Sequence, residues 1–150
     1  MLAAAAPRPV LVTRPAGRGA ALLALLHEAG IEAEQQPLIR LVPGAEQDLA
    51  AARALLVGGR CTHLVVTSRT VADVLGPLDV PPTVRVIAVG EGTAQALRTV
   101  GVEADLVAGG SGADLVAQMP TAADGDRVLF PASSAASRTV PEGLRTKGYQ

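Results

Sequence analysis

Between Val84 and Val102 the chain changes rhythm sharply. Val84-Arg85-Val86-Ile87-Ala88-Val89 is apolar or β-branched with one interruption, the pattern of a strand covered on both faces. Gly90 and Gly92 then permit a tight turn, and Thr93 is placed to cap a helix. Ala94, Leu97 and Val100 recur at helical spacing until Gly101 supplies a left-handed stop. The unit is strand, turn, helix. Its turn follows the carboxyl end of the strand, where exposed amides and the positive helix end suit an anion and where open α/β sheets bind ligands.

The same rhythm recurs along the chain. Val10-Leu11-Val12-Thr13 reads as a short buried strand, Arg14 to Gly19 as a turn, and Gly19 to Ala29 as a helix whose leucines Leu22, Leu23, Leu25 and Leu26 face a sheet. Gly30 ends that helix, and Ile31 to Glu34 begins the next strand. Pro37-Leu38-Ile39-Arg40-Leu41-Val42-Pro43-Gly44 is different: prolines bracket a short extended run, which suits an edge ribbon or a crossing between domains. Further on, a helix is expected from Ala45 to Val57, a strand from Thr62 to Thr67, and a helix opened by Ser68-Arg69-Thr70. After the central unit come a strand at Ala104 to Val107, a helix over Ala113 to Met119 capped by Ser111, a strand at Arg127 to Pro131 and a helix from Ser137 to Lys147.

These units share an internal repeat. Val10-Leu11-Val12 and Val128-Leu129-Phe130 both start strands, and Leu26 with Gly30 and Leu144 with Gly148 follow at equal offsets. Leu97 to Ala104 repeats the close of Leu26 to Ala33. The pattern predicts an α/β fold, a parallel sheet with helices on both faces. The expected division is one complete domain, residues 45–150, preceded by the strand–helix unit 1–36 of a second, incomplete domain and a linker at 37–44.

Composition narrows the function. The chain has 150 residues, 49% of them hydrophobic, enough for a core. Phe130 and Tyr149 are its only aromatics, and the net charge is −1, so no nucleic-acid partner is expected. Twelve of the thirteen basic residues are Arg, for which a GC-rich coding bias is the simpler account and bidentate carboxylate binding the functional one. Cys61 stands alone, and His27 and His63 lack ligand spacing, so no metal is expected. The opening residues lack the basic start and apolar length of a leader, and no run approaches a membrane span. A cytoplasmic monomer is expected, without membrane contact.

Candidate chemistry sits in the turns after strands: Arg14 and Arg18, Ser68 and Arg69, Gly90 to Thr93, Gly109 to Gly112, and Ser133 to Arg138. Gathered on one rim, their amides, hydroxyls and guanidinium groups suit carboxylates or phosphates. The same residues also cap helices and turn chains without any ligand. The turn at Gly90 is not a dinucleotide fingerprint, because Gln95 stands where a third glycine is needed. No nucleophile elbow is present, and Glu91 is the single acid at the mouth of the central turn to consider as a general acid, though a solvated turn role suits it better.

The order of these motifs resembles the uroporphyrinogen-III synthase family. The resemblance rests on Val10-Leu11-Val12-Thr13-Arg14-Pro15, Gly30, Pro37-Leu38-Ile39, Leu64 to Ser68, Val86 to Gly90 with Thr93-Ala94, Gly110-Ser111-Gly112, Val128 to Pro131, and Leu144-Arg145 before Gly148. It implies two α/β domains joined by a two-stranded linker, with Pro37 to Pro43 as the first crossing and a second crossing expected beyond Gln150. It also implies a cofactor-free cyclisation of linear hydroxymethylbilane, a tetrapyrrole polycarboxylate. Loss of its hydroxyl gives an azafulvenium, and a spiro intermediate recloses with the last ring inverted. Holding a flexible substrate curled is then the main task. By matching position, Thr93 is the candidate catalytic hydroxyl, and Arg14, Thr67, Ser68, Gly90, Gly92, Ser111 and Gly112 are candidate substrate contacts. Tyr149 does not match the tyrosine considered as a proton donor in that family, and residues 1–150 by themselves are expected to have little activity. The alternative is a non-catalytic α/β module that binds a small carboxylate or a partner. A response-regulator receiver fits poorly, because Thr67-Ser68 and Gly90 stand where a phosphoacceptor Asp and an acidic pair are needed.

Overall fold

A computed structural model of the chain describes residues 8–150; the opening on which the leader reading rests lies outside the described residues. The chain divides into two compact units, Met1–Pro43 and Gly44–Gln150.

In the first unit β1 (Val10–Val12) pairs in parallel with β2 (Ala33–Gln35), and α1 (Ala20–Glu28) connects them. The Gln35 side chain locks the turn after β1, donating to the carbonyls of Pro15 at 3.1 Å and Arg14 at 3.4 Å. Its amide lies where a side chain on Gly19 would stand, 2.9 Å from an added Cβ. The expected leucine face of α1 is only partly realised. Leu22, Leu23 and Leu26 are half-buried, Leu25 is 63% exposed, and no residue of α1 is fully buried, because two short strands offer too little surface to cover a helix. Leu38, Ile39, Leu41 and Val42 are also exposed, and residues 37–43 form no strand.

The second unit is a four-stranded parallel sheet in the order β5–β4–β3–β6. Its strands are β3 (His63–Val66), β4 (Arg85–Val89), β5 (Leu106–Ala108) and β6 (Val128–Leu129). The helices are α2 (Glu46–Val57), α3 (Arg69–Leu75), α4 (Glu91–Thr99), α5 (Gly112–Gln118) and α6 (Thr139–Thr146). Alternation along the two central strands feeds two cores. Leu64, Val66, Val86 and Ala88 join Leu56, Ala72, Ala94 and Leu97 on one face. Val65 and Ile87 join Leu115, Met119, Val140 and Leu144 on the other. Helices therefore cover both faces, α3 beside α4 and α5 beside α6.

The repeated Leu…Gly pattern has a single physical cause. Gly30, Gly101 and Gly148 take φ of 73°, 85° and 94°, and the residue after each donates back to the leucine carbonyl: Ile31 to Leu26 at 2.9 Å, Val102 to Leu97 at 3.0 Å, Tyr149 to Leu144 at 3.1 Å. Each is a left-handed glycine cap, and in the second unit both bonded residues also share a core, Leu97 with Val102 and Leu144 with Tyr149. At the other end of α4 the cap differs from expectation. Gly90, with φ 73°, is the N-cap and carries no capping side chain, so the helix starts at Glu91 and Thr93 lies inside its first turn.

Candidate functional site

Because all four strands of the second unit run the same way, their carboxyl ends form one rim. The register pairs Val66 with Ala88, Val89 with Ala108 and Leu64 with Leu129, which brings Thr67, Gly90, Gly109 and Phe130 to a common edge. The chain winds from β3 to β4 to β5 and then crosses back to place β6 on the far side of β3. Winding reverses between β3 and β6, the position at which open α/β sheets leave a crevice. An open cleft of about 370 Å³ lies along this rim on the side of α5 and α6, lined by Thr67, Val89, Ser111, Gly112 and Phe130 among others. Ser137 and Thr139, at the entry to α6, complete its hydroxyl wall.

The candidates fall into two groups on this rim. Thr67, Ser111 and Gly112 line the cleft itself. Ser68, Gly90, Gly92 and Thr93 form the neighbouring corner, where Ser68 Oγ caps α3 by accepting from Val71 N at 3.3 Å. The two loops of that corner touch: Arg69 Cδ is 3.5 Å from where a Cβ on Gly92 would stand. Thr93 is 5% exposed, and its hydroxyl makes no hydrogen bond among the described residues. Among those residues the sole fully enclosed side-chain polar atom without a partner is Tyr149 Oη, so the Thr93 hydroxyl keeps a solvent-reachable edge. Arg14 belongs to the first unit, in the turn held by Gln35.

Two residues are engaged locally. Ser111 Oγ donates to Asp114 Oδ2 at 2.6 Å and accepts from Asp114 N at 3.1 Å, which makes it a helix cap before anything else. Glu91 is bound by Arg98, which also holds Glu103; this is the surface role the sequence favoured over acid catalysis. Gly112 has a packing reason of its own, because a Cβ there would stand 2.7 Å from Val140 Cγ2.

The buried titratable groups lie at the opposite, amino-terminal edge of the sheet. His63 Nδ1 is 2.7 Å from Thr62 Oγ1 and 3.9 Å from Asp126 Oδ1, and its ring meets Tyr149 edge-on at 5.2 Å. Burial pushes the imidazole below its ordinary range, against the opposing pull of Asp126, and nearby Arg85 pushes it the same way as burial. Burial likewise raises the Cys61 thiol and the Tyr149 phenol. Among the described residues no group of His, Cys, Asp or Glu is arranged to hold a metal ion, and no helix is long and apolar enough to cross a membrane.

Ser137, Thr139 and Phe130 were not singled out individually by sequence. The turn Ser133 to Arg138 was a weak pointer, but Thr139 reads there as an ordinary helix residue.

Comparison with known proteins converges on one family. The family model HEM4, described as uroporphyrinogen-III synthase HemD, matches residues 20–150. A chloroplastic uroporphyrinogen-III synthase from Oryza sativa subsp. japonica is 28% identical over 161 aligned positions, covering 96% of this chain and 51% of the relative. Two crystal structures of uroporphyrinogen III synthase from the extremely thermophilic bacterium Thermus thermophilus share the fold. A mutant selenomethionine form has a TM-score of 0.69 at 19% identity, and the wild type has 0.61 at 20%. Each alignment covers 96% of this chain and 59% of the other. The chain thus spans about half the length of the curated relative it matches.

Proposed function

Because the chain belongs to the uroporphyrinogen-III synthase family, we propose that it serves the cyclisation of hydroxymethylbilane, its second unit forming one wall of the site that holds this polycarboxylate curled. The observation that carries the reading is the gathering of Thr67, Ser68, Gly90, Gly92, Ser111 and Gly112 at the carboxyl ends of three neighbouring parallel strands, β3, β4 and β5. Such corners offer backbone amides and hydroxyls to carboxylates without any metal. No cofactor is called for. Pyrrole nitrogen density expels the hydroxyl, and the protein contributes orientation, so that the substituted carbon of the last ring meets the azafulvenium before the free bilane closes unaided.

Within this reading Thr93 is the hydroxyl that bonds the departing group, supported by its unpartnered, partly reachable Oγ1. Arg14 is assigned to substrate from the first unit. Residues 1–36 are read as the start of a second domain, 37–44 as linker and 45–150 as a complete domain; the apolar residues exposed on the first unit, Val10, Leu11, Leu25 and Ile31 among them, favour that division. The protein is read as a cytoplasmic monomer.

Titration with uroporphyrinogen III, kept reduced, tests the reading. Saturable binding is expected, weakened by Thr93→Val and by Gly92→Asp. Absence of binding would leave a non-catalytic α/β module in its place.

A further inference from the structure

Resting on that reading, we propose that the cleft along the rim beside α5 and α6 is a subsite for a single pyrrole ring with its two acid arms, and that Phe130, Thr67, Ser137 and Thr139 hold it. Size comes first. At about 370 Å³ the cleft stands at the small end of the ~300–1,000 Å³ range of ligand pockets, a size that seats one substituted pyrrole while the rest of a larger ligand extends outside. Its lining is split by polarity in the way such a ring requires. Val89, Phe130 and Val140 present apolar surface, and Phe130, the single phenylalanine of the chain, offers a flat face to a heteroaromatic ring.

The hydroxyls around that surface are available to acid arms. Ser137 Oγ and Thr139 Oγ1 are 2.8 Å apart, so one donates to the other. The second proton of the pair is left free for a ligand whichever way the bond runs. Thr67 makes no side-chain hydrogen bond among the described residues and is half-buried at the cleft. Ser111 is the exception, its proton committed to Asp114. The wall is also fixed in place: Gly112 and Gly143 allow α5 and α6 to approach so closely that an added Cβ would stand 2.7 Å from Val140 and 2.6 Å from Val116. Hydroxyl donors held on a close-packed seam need little reordering when a carboxylate arrives.

Porphobilinogen, a monopyrrole with one acetate and one propionate arm, is the probe. Titrated into the isotope-labelled chain, it is expected to move the amide resonances of Thr67, Phe130 and Ala136 to Val140 with millimolar saturation, to be displaced by uroporphyrinogen III, and to bind about tenfold more weakly to the double variant Ser137→Ala, Thr139→Val. Phe130→Leu is a second variant with the same expected direction. If uroporphyrinogen III binds while the monopyrrole moves only the Gly90–Thr93 corner, or nothing, the single-ring subsite is overturned and the family reading stands. If neither compound binds, both are overturned.

Discussion

Replacing Gly143 by alanine should destabilise the second unit, although the usual effect of that change inside a helix is the reverse. An unobstructed helical Gly→Ala gains about 0.5–1 kcal/mol. Here the new methyl would stand 2.6 Å from Val116 Cγ1 and 2.8 Å from Cγ2. Both contacts are to the branches of one β-branched side chain, which in a helix keeps essentially one χ1 rotamer, so rotation exchanges one clash for another. Relief has to come from moving α6 away from α5, an overpacking cost of about 1–3 kcal/mol. The net expectation is a loss of about 1–2 kcal/mol once the propensity gain is subtracted. Val116→Ala alone should cost about 1 kcal/mol, because the residue is half-buried. The double variant should be more stable than the sum of the singles by about 1–2 kcal/mol, since the new methyl then fills the space vacated by the valine. Urea unfolding followed by far-ultraviolet circular dichroism reads all four corners of the cycle, with unchanged m values as the control. A rise in the Gly143→Ala midpoint, with no coupling to Val116→Ala, would refute the close seam and with it the rigid wall of the cleft.

Other expectations follow from the remaining contacts. His63 has its folded-state pKa lowered by burial, so its contribution to stability is intact above the ordinary histidine value and is lost as pH falls from about 6.5 through the depressed folded value; urea midpoints measured from about pH 8 down to about pH 5 should drop, and His63→Asn should flatten that drop. Tyr149→Phe removes a phenol oxygen that is enclosed without a partner, and should be neutral or stabilising by up to about 1 kcal/mol, a clear loss in thermal midpoint counting against the packing described. Amides of β1 and β2 should exchange with solvent well before those of β3 and β4, whose residues Leu64, Val65, Val66 and Ala88 are fully buried; equal protection would contradict the weakness of the first unit. With enzymatically made bilane, residues 1–150 alone should leave the isomer ratio near that of unaided closure, and a high type III fraction would overturn that expectation.

Much of the architecture was readable because burial on both faces leaves a strong mark. His63–Val66 and Arg85–Val89 stand out as apolar runs ended by turn residues, and both are central strands. The Leu26, Leu97 and Leu144 repeat was visible as a pattern, and the glycine cap is its cause. Strand order was not readable, since each strand–helix unit looks alike and nothing in Val128–Leu129 tells on which side of β3 it docks. The cap of α4 was misplaced because glycine at positive φ leaves no side-chain signature, and Thr93, two residues inside, is a good capping residue by type. At the rim, Ser111 and Gly112 stood out by their place after a strand, and Thr67 by the family resemblance; all three line the cleft. Ser137 fell within the turn Ser133 to Arg138, whereas Thr139 and Phe130 did not stand out, because only the crossing back to β6 brings that segment to the same rim.

The central claim is that the carboxyl-end rim of the parallel sheet, and not its amino end, receives the tetrapyrrole. Hydrogen exchange with and without reduced uroporphyrinogen III tests this directly, because the two ends of every strand are read in one experiment. Protection is predicted at Thr67–Thr70, Gly90–Ala94 and Gly109–Ala113, with no change at Gly58–Thr62, Gly101–Asp105 or Ala123–Arg127. Protection confined to the latter three segments, around His63 and Asp126, would contradict the account.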